Sequence, residues 1–239
     1  MKSSVMPSTS QAVLVHGLGS TFETDWRRSG WTDVLGSVGY SSIEIDLPGH
    51  NGVDPRLDPA THLLDTISSS GGGYVDAIGY SAGAGVVVAA AARQPFLFRR
   101  IVLLAIGDSA FERREPGFSE LADALECQTS DGDSVTMLIR LAARSAGNDI
   151  ASVAEFVRCM PALPKIASLE RVMIPTLILS GTCDFAGPAT KLASALPQSR
   201  LVSLPRVDHA RTLSDFTALH EAVQFLSEPQ VRSQEPSTD

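Results

Sequence analysis

A serine near the middle of the chain stands in a pattern that holds nucleophiles. Gly79, Ser81 and Gly83 form G-x-S-x-G between a stretch typical of a buried strand and a run of small apolar residues typical of a buried helix. A turn this tight strains the serine backbone and leaves no room for side chains two positions before and after it. It would also place the hydroxyl at a helix N-terminus, which favours developing negative charge. The spacing therefore predicts that Ser81 is a nucleophile.

A serine hydroxyl is a poor nucleophile unless a base accepts its proton and a third group orients that base. His209 follows the last predicted strand, and Asp184 follows the strand before it. Because the carboxyl ends of parallel strands meet at one edge of a sheet, both residues can converge on Ser81. We predict that His209 is the general base and Asp184 its acidic partner. Asp108, just past the fourth predicted strand, is the alternative acid.

The elements that must position these residues alternate along the chain. Short runs rich in Val, Ile and Leu are typical of strands in a parallel sheet that is covered on both faces. They predict strands at residues 12–15, 42–46, 74–79, 100–105, 176–180 and 201–204. Helices are predicted between them at residues 26–38, 60–69 and 82–94. This alternation predicts a doubly wound α/β fold, with a mainly parallel sheet of about six strands and helices on both faces.

The connection between the fourth and fifth predicted strands is much longer than the others. Three of its segments have the apolar periodicity of helices, at residues 118–128, 134–146 and 149–160. Long connections usually hold functional insertions, so we predict a small helical lid at about residues 108–165. The domain itself is predicted at residues 11–227, with an N-terminal tail at 1–10 and a polar, disordered tail at 228–239.

Five segments together carry a resemblance to a known family. They are Gly79-Tyr80-Ser81-Ala82-Gly83, His16-Gly17-Leu18-Gly19, Asp46-Leu47-Pro48-Gly49-His50, Gly181-Thr182-Cys183-Asp184 and Asp208-His209. With them the chain resembles the α/β-hydrolase superfamily over nearly its whole length, and it is similar to the serine esterases with a small lid. The resemblance implies a nucleophile, acid and base at Ser81, Asp184 and His209. It also implies an oxyanion hole formed by the backbone amides of Leu18 and Ala82.

Two features depart from the pattern of that family. The first predicted strand starts near Ala12, which leaves no room for the usual leading antiparallel hairpin and implies a trimmed version of the fold. His50 is followed by Asn51-Gly52-Val53-Asp54 in place of the common Gly-x-Ser. We expect His16 and His50 to be structural hydrogen-bonding residues near the site, because neither lies on the loop predicted to carry the base.

A dinucleotide-binding fold is the alternative interpretation of the first loop. Gly17-x-Gly19 follows a strand and Asp46 ends the next one, as in a Rossmann fingerprint. The third glycine of that fingerprint is replaced by Phe22, whose side chain would hold the helix away from the strand and block a pyrophosphate. We therefore expect no nicotinamide and no other cofactor.

Charge and cysteine content argue against several other classes of protein. The chain has 239 residues, 44% of them hydrophobic, which is enough for the core of one domain. Its 19 Lys and Arg against 27 Asp and Glu give a net charge of −8, so neither nucleic acid nor an anionic membrane is an expected partner. The first ten residues lack the apolar stretch of a secretory signal, and a cytoplasmic location is expected. The three cysteines are far apart, which argues against a disulfide framework and against a zinc site.

These observations predict the hydrolysis of an ester, thioester or lactone of a small to medium apolar molecule through an acyl-enzyme on Ser81. The apolar positions of the predicted lid favour an apolar acyl or aromatic group; they are Phe118, Leu121, Leu125, Met137, Leu141, Phe156 and Met160. Three alternatives stay open: acyl transfer to an acceptor other than water, carbon–carbon bond hydrolysis by the same residues, and a small-ligand receptor without turnover. An intact triad argues against the receptor, which has no use for all three groups.

Overall fold

The strands of the computed structural model form one sheet. The structure describes residues 10–71, 74–112, 117–127 and 133–229. The strands are β1 (Ser10–Val15), β2 (Tyr40–Ile45), β3 (Val75–Tyr80), β4 (Phe98–Leu104), β5 (Thr176–Gly181) and β6 (Ser199–Leu204). Their order is β2-β1-β3-β4-β5-β6, and every neighbouring pair is parallel. The tails predicted at residues 1–10 and 228–239 lie outside the described residues except for Ser10 and residues 228–229. Ser10, predicted as the end of the N-terminal tail, is instead the first residue of β1.

Helices cover both faces of the sheet. They are α1 (Trp31–Ser37), α2 (Pro59–Ser69), α3 (Ala82–Arg93), α4 (Gly117–Glu126), α5 (Ser134–Ala146), α6 (Ile150–Cys159), α7 (Thr190–Ala195) and α8 (Phe216–Ser227). Val13 and Val15 belong to a core with α2, α3 and α7, whereas Ala12 and Leu14 belong to a core with α1 and α8. This division follows from the strand geometry, in which successive side chains point to opposite faces. The doubly wound α/β fold is confirmed, and its sheet is wholly parallel.

The helix predicted at residues 26–38 is two separate elements. A π-helical turn at Glu23–Arg27 is followed by Gly30, whose φ of 85° is left-handed, and only then does α1 begin. An α-helix cannot continue through a left-handed residue, and glycine adopts that conformation without steric cost. The prediction of one continuous helix was wrong because apolar periodicity continues across the break. Trp26 and Trp31 lie on either side of it, and their rings meet edge to face with 5.5 Å between the ring centroids.

The interval in which a lid was predicted contains α4, α5 and α6, which share a small core of their own. This helical layer rests on the loops that follow β1 and β2. A Cβ atom on Gly19 would lie 2.7 Å from the backbone oxygen of Ile139 in α5, and one on Gly49 would lie 2.5 Å from that of Ser152 in α6. The helices therefore touch the backbone next to the predicted site.

Replacing Gly83 with alanine is expected to lower the free energy of unfolding by about 3 kcal/mol. A Cβ atom there would lie 2.2 Å from the backbone oxygen of Val15, so β1 and α3 would have to separate. Urea denaturation followed by circular dichroism measures the loss. Gly36→Ala in α1 is the matched control: it meets no atom within 4 Å and should stabilise the protein by about 0.5–1 kcal/mol. Equal effects of the two substitutions would contradict the close approach at Gly83.

Candidate active site

Ser81 occupies the turn between β3 and α3 in a strained conformation. Its φ is 54° and its ψ is −116°, which is outside the regions that residues with side chains usually adopt. The turn is tight because Gly79 and Gly83 lie against backbone: a Cβ atom on Gly79 would be 2.6 Å from the Cα of Ala84. The Ser81 amide donates to the oxygen of Leu104, which ties the turn to β4. The strand, turn and helix around the serine are therefore arranged as the sequence predicts.

Ser81, His209 and Asp184 form a continuous chain of hydrogen bonds. The Ser81 Oγ lies 2.8 Å from Nε2 of His209, and Nδ1 of the same ring lies 2.8 Å from Oδ1 of Asp184. His209 and Asp184 are 7% and 8% exposed, so water does not screen their interaction. With a neutral imidazole, Nδ1–H donates to the carboxylate and Nε2 accepts the serine proton. The geometry thus suits proton transfer from Ser81 to His209.

Neighbouring side chains hold the imidazole in place. The Tyr80 hydroxyl donates to the backbone oxygen of His209 at 3.0 Å. The Phe185 ring lies over the imidazole with 4.2 Å between ring centroids. Asp184 is oriented in turn, because its Oδ1 also accepts from the Ala186 amide at 2.8 Å. These contacts restrict the movement of the imidazole and of the Asp184 carboxylate.

Asp108, the alternative acid, is directed away from His209. It is buried, and its two carboxylate oxygens accept from the amides of Leu192 and Lys191 at 2.9 and 3.0 Å. A carboxylate at this position satisfies amides that the first turn of a helix leaves without partners. Asp108 therefore caps the N-terminus of α7, and the structure brings Asp184 to the histidine instead.

Leu18 and Ala82, whose backbone amides are the predicted oxyanion hole, line the same cavity as Ser81. Within the described part of the chain, neither amide donates a hydrogen bond to another protein atom. The loop that carries Leu18 is held on both sides, because the Gly17 amide donates to Asp25 at 2.9 Å and the Gly19 amide donates to Nε2 of His50 at 2.8 Å. Two residues whose amides have no protein acceptor among the described residues thus line the cavity beside Ser81.

Asp25 is a buried carboxylate that sequence reasoning missed. It accepts from the Gly17 amide and, at 2.5 Å, from the Ser20 hydroxyl. Burial raises the pKa of its carboxyl above the ordinary value, although the bonds from Ser20 and Gly17 act in the opposite direction. No sequence motif marks this residue, because it lies just before the helix predicted at residues 26–38, in a π-helical turn that the apolar pattern did not indicate. Its contacts make it a positioning residue for the loop of Leu18.

His16 and His50 are fully buried beneath this loop. Nε2 of His16 accepts from the Leu47 amide at 2.9 Å, so the two rings connect the loops that follow β1 and β2. Nδ1 of His50 lies 2.8 Å from the oxygen of Pro48 and donates to it, which leaves Nε2 as the acceptor for Gly19. Burial lowers the pKa of His50 to about 3, so the ring stays neutral at physiological pH. Both rings hydrogen-bond loop backbone, as expected of structural residues.

His50 is expected to make the protein less stable as the pH falls. Its pKa is about 3 when folded and about 6.5 when unfolded, so between these values the unfolded chain binds a proton that the folded chain does not. The stabilisation that the neutral His50 ring provides is therefore complete above about pH 6.5 and declines as the pH falls below that value. The difference in unfolding free energy between the wild type and His50→Gln should therefore shrink by about 2 kcal/mol from pH 7 to pH 5. His220→Gln, at an exposed position of α8, is the control. If the difference in unfolding free energy between the wild type and His50→Gln did not change with pH, the lowered pKa of His50 would be contradicted.

The first loop does not have the arrangement of a dinucleotide site. Phe22, at the third position of the glycine pattern, is 4% exposed and belongs to the core with α1 and α8. Asp46 accepts from the Phe22 amide and from the side-chain amide of Asn51, both at 2.7 Å. The carboxylate of Asp46, which would bind a ribose in a dinucleotide site, is thus used in hydrogen bonds with the protein's own loops.

A cavity of about 510 Å³ opens above Ser81. Most of its lining is apolar, and Phe118, Leu121 and Met160 of the predicted lid contribute to it. Other apolar lid positions do not face it: Met137 and Leu141 are 56% and 66% exposed on the outer surface of α5. Helices α4 and α5, with Met160, thus form an apolar wall, and only some of the apolar positions named from the sequence contribute to it.

Among the described residues, no three His, Cys, Asp or Glu side chains come together as ligands for a metal ion. The same residues contain no helix that combines the length and the apolar character needed to cross a membrane.

The chain belongs to the alpha/beta hydrolase family, since the sequence profile of that family matches residues 12–222. A comparison with curated protein sequences found no match.

Solved structures share this fold at low sequence identity. An esterase (EaEST) from Exiguobacterium antarcticum is 14% identical with a TM-score of 0.74, over 92% of this chain and 92% of that one. The enol-lactonase from Burkholderia xenovorans LB400 is 22% identical with a TM-score of 0.68, again over 92% of both chains. The enzyme MGS-M2 from a Medee basin deep-sea metagenome library, also an alpha/beta hydrolase, is 15% identical with a TM-score of 0.73, over 97% of this chain and 94% of that one.

Proposed function

We propose that this alpha/beta hydrolase is a serine hydrolase that cleaves an ester, thioester or lactone of a small to medium apolar molecule. The observation that carries the proposal is the chain of hydrogen bonds from Asp184 through His209 to Ser81, at 2.8 Å for each step, at the inner end of an apolar cavity. Two of the structures with this fold are an esterase and an enol-lactonase, which supports the choice of substrate bond.

The proposed reaction begins with Ser81. Its Oγ attacks the carbonyl carbon of the substrate while its proton passes to Nε2 of His209. Asp184 holds Nδ1–H of the ring and stabilises the imidazolium that forms. The tetrahedral intermediate then collapses, the leaving-group oxygen or sulfur takes the proton from Nε2, and the acyl group stays on Ser81. Water repeats the sequence as the nucleophile and releases the carboxylic acid.

The developing oxyanion would be bound by the backbone amides of Leu18 and Ala82. Both residues line the cavity beside Ser81, and their amides have no protein acceptor among the described residues. Donors fixed before the reaction need no reorganisation when charge develops, and each can contribute about 10²–10³ to kcat. Asp25 and His50 would support this hole by fixing the amides on either side of Leu18.

A fluorophosphonate label tests the nucleophile directly. We expect one phosphonyl group per chain, located on Ser81 by mass spectrometry of tryptic peptides, together with hydrolysis of p-nitrophenyl acetate. Heat-unfolded protein is the control, because an unactivated serine should not react. Ligand binding without labelling at pH 8 would support a receptor and would overturn the proposal.

A further inference from the structure

The cavity continues away from Ser81 along one face of α3. The helix residues that line it are Ala82, Gly85, Val86, Ala89, Ala92 and Arg93. Their spacing of three and four places them on one side of the helix. At a rise of about 1.5 Å per residue, the path from Ala82 to Ala92 is about 15 Å long. Along this path Gly85 is buried, whereas Ala92 at the outer end is exposed to solvent.

A strap of residues 160–164, which follows α6, covers this path. Leu163 is its closest point, because a Cβ atom on Gly85 would lie 3.2 Å from both methyl groups of Leu163. Pro59 and Ala60 of α2 form a further wall. We call the space between α3, the strap and α2 the α3 arm. Apart from Arg93 its walls are apolar, and its course along one helix suits an extended alkyl chain.

The topology determines which part of a substrate enters the α3 arm. His209 follows β6 at one edge of the sheet, whereas α2 follows β2 at the other edge, with Ser81 on the central β3 between them. In the proposed mechanism His209 gives its proton to the leaving group, so that group must lie on the histidine side. The acyl chain is then directed to the opposite side, along α3.

The outer end of the α3 arm is open and charged. Arg93 there contacts both carboxylate oxygens of Asp58, with its Nη2 3.1 Å from Oδ2, and it also contacts the hydroxyl of Thr61 at 3.2 Å. Asp58 neutralises the guanidinium of Arg93. The outer end of the arm is therefore formed by solvent and an ion pair, and no apolar side chain closes it. A chain longer than the arm can therefore protrude into solvent.

We propose that the α3 arm binds the acyl chain of the substrate, and that the substrates are esters or thioesters of unbranched fatty acids of about ten carbons or more. An extended chain advances about 1.3 Å per carbon, given C–C bonds of about 1.5 Å, so ten to twelve carbons fill the arm. The assignment of acyl and leaving-group sides rests on the function proposed above. The arm itself does not, because a free fatty acid can occupy it without reaction.

A chain-length series tests this proposal. For p-nitrophenyl esters, each CH₂ buried in the arm can raise kcat/KM by up to about fourfold. We expect at least a tenfold rise from butanoate to decanoate and no sharp fall from decanoate to tetradecanoate. Ala89→Leu places a larger side chain in the middle of the arm and should lower the decanoate-to-butanoate ratio at least tenfold. Ala151→Leu, at an exposed position of α6 outside the cavity, is the matched control and should leave the ratio within twofold.

Calorimetric titration with decanoate separates this proposal from the function on which it rests. We expect saturable binding that Ala89→Leu weakens at least tenfold and Ala151→Leu does not. A flat or falling chain-length profile in an active enzyme, or no decanoate binding, would overturn the α3 arm as the acyl site. An unchanged ratio in an Ala89→Leu variant that still reacts with a fluorophosphonate would overturn it too. If decanoate binds as expected but no ester is cleaved and Ser81 is not labelled, the hydrolase proposal fails and the arm is supported.

Discussion

Replacing Ser81 with alanine is expected to lower kcat for p-nitrophenyl butanoate by about 10⁴–10⁶ and to abolish fluorophosphonate labelling. The variant keeps the amides of Leu18 and Ala82 and the cavity, but it has no atom at this position that can form the proposed acyl-enzyme. His209 then has no proton to accept from the protein, so its contact with Asp184 no longer contributes to the reaction. Steady-state kinetics with labelling on the same preparations measures the effect.

The fold should survive this substitution. Alanine removes one oxygen at a position that is only partly buried, and the strain of the Ser81 backbone at φ 54° remains. Circular dichroism and a melting temperature check this directly. Ser145→Ala, at an exposed position of α5 outside the cavity, is the matched control and should keep wild-type kinetics. A Ser81→Ala variant that retained more than about a tenth of the activity would show that another group is the nucleophile.

Replacing Asp184 with asparagine should lower kcat by about 10⁴, because a side-chain amide can donate to Nδ1 and so stabilise the wrong tautomer of His209. In that tautomer Nε2 carries the proton and cannot accept one from Ser81. The geometry predicts this large effect, since Asp184 Oδ1 lies 2.8 Å from Nδ1 of His209. Stopped assays with purified enzyme should show the loss in kcat rather than in KM alone.

Asp108→Asn provides the matched carboxylate control. It removes a buried charge that caps α7 through Lys191 and Leu192, so the expected effect is on stability, about 1–2 kcal/mol in the free energy of unfolding. Its kcat should fall less than tenfold. If the two variants ranked the other way in kcat, the acid of the proposed mechanism would be Asp108.

Local patterns were sufficient for most of the fold. A strand buried on both faces needs Val, Ile and Leu in succession, and the alternation of such runs with helical segments has few stable solutions other than a parallel sheet between helix layers. The six strands were therefore found, with ends that shifted by one or two residues. The break between Trp26 and Trp31 was missed, because one left-handed glycine ends a helix without altering its apolar pattern.

The sequence by itself determined the turn at Ser81, since only glycines fit at positions 79 and 83, where backbone atoms approach closely. It also placed His209 and two candidate acids on the same edge of the sheet, because strand direction fixes where each loop emerges. Only the tertiary structure decided between the acids: Asp184 meets the imidazole, while Asp108 meets the amides of α7.

The loop of Leu18 and the α3 arm depend on the tertiary structure more fully. Asp25 reaches Gly17 because a π-helical turn folds back under the loop, and the strap that covers Gly85 comes from a segment that begins at residue 160. The strap and Gly85 are far apart in the chain, so their contact is set by how whole helices and loops pack. The contact of Asp25 with Gly17 spans only eight residues, but it depends on a π-helical turn that the apolar pattern does not encode. The candidate nucleophile, base and acids of this protein were thus evident from the sequence. Which carboxylate contacts His209, and the shape of the cavity above Ser81, were decided by packing.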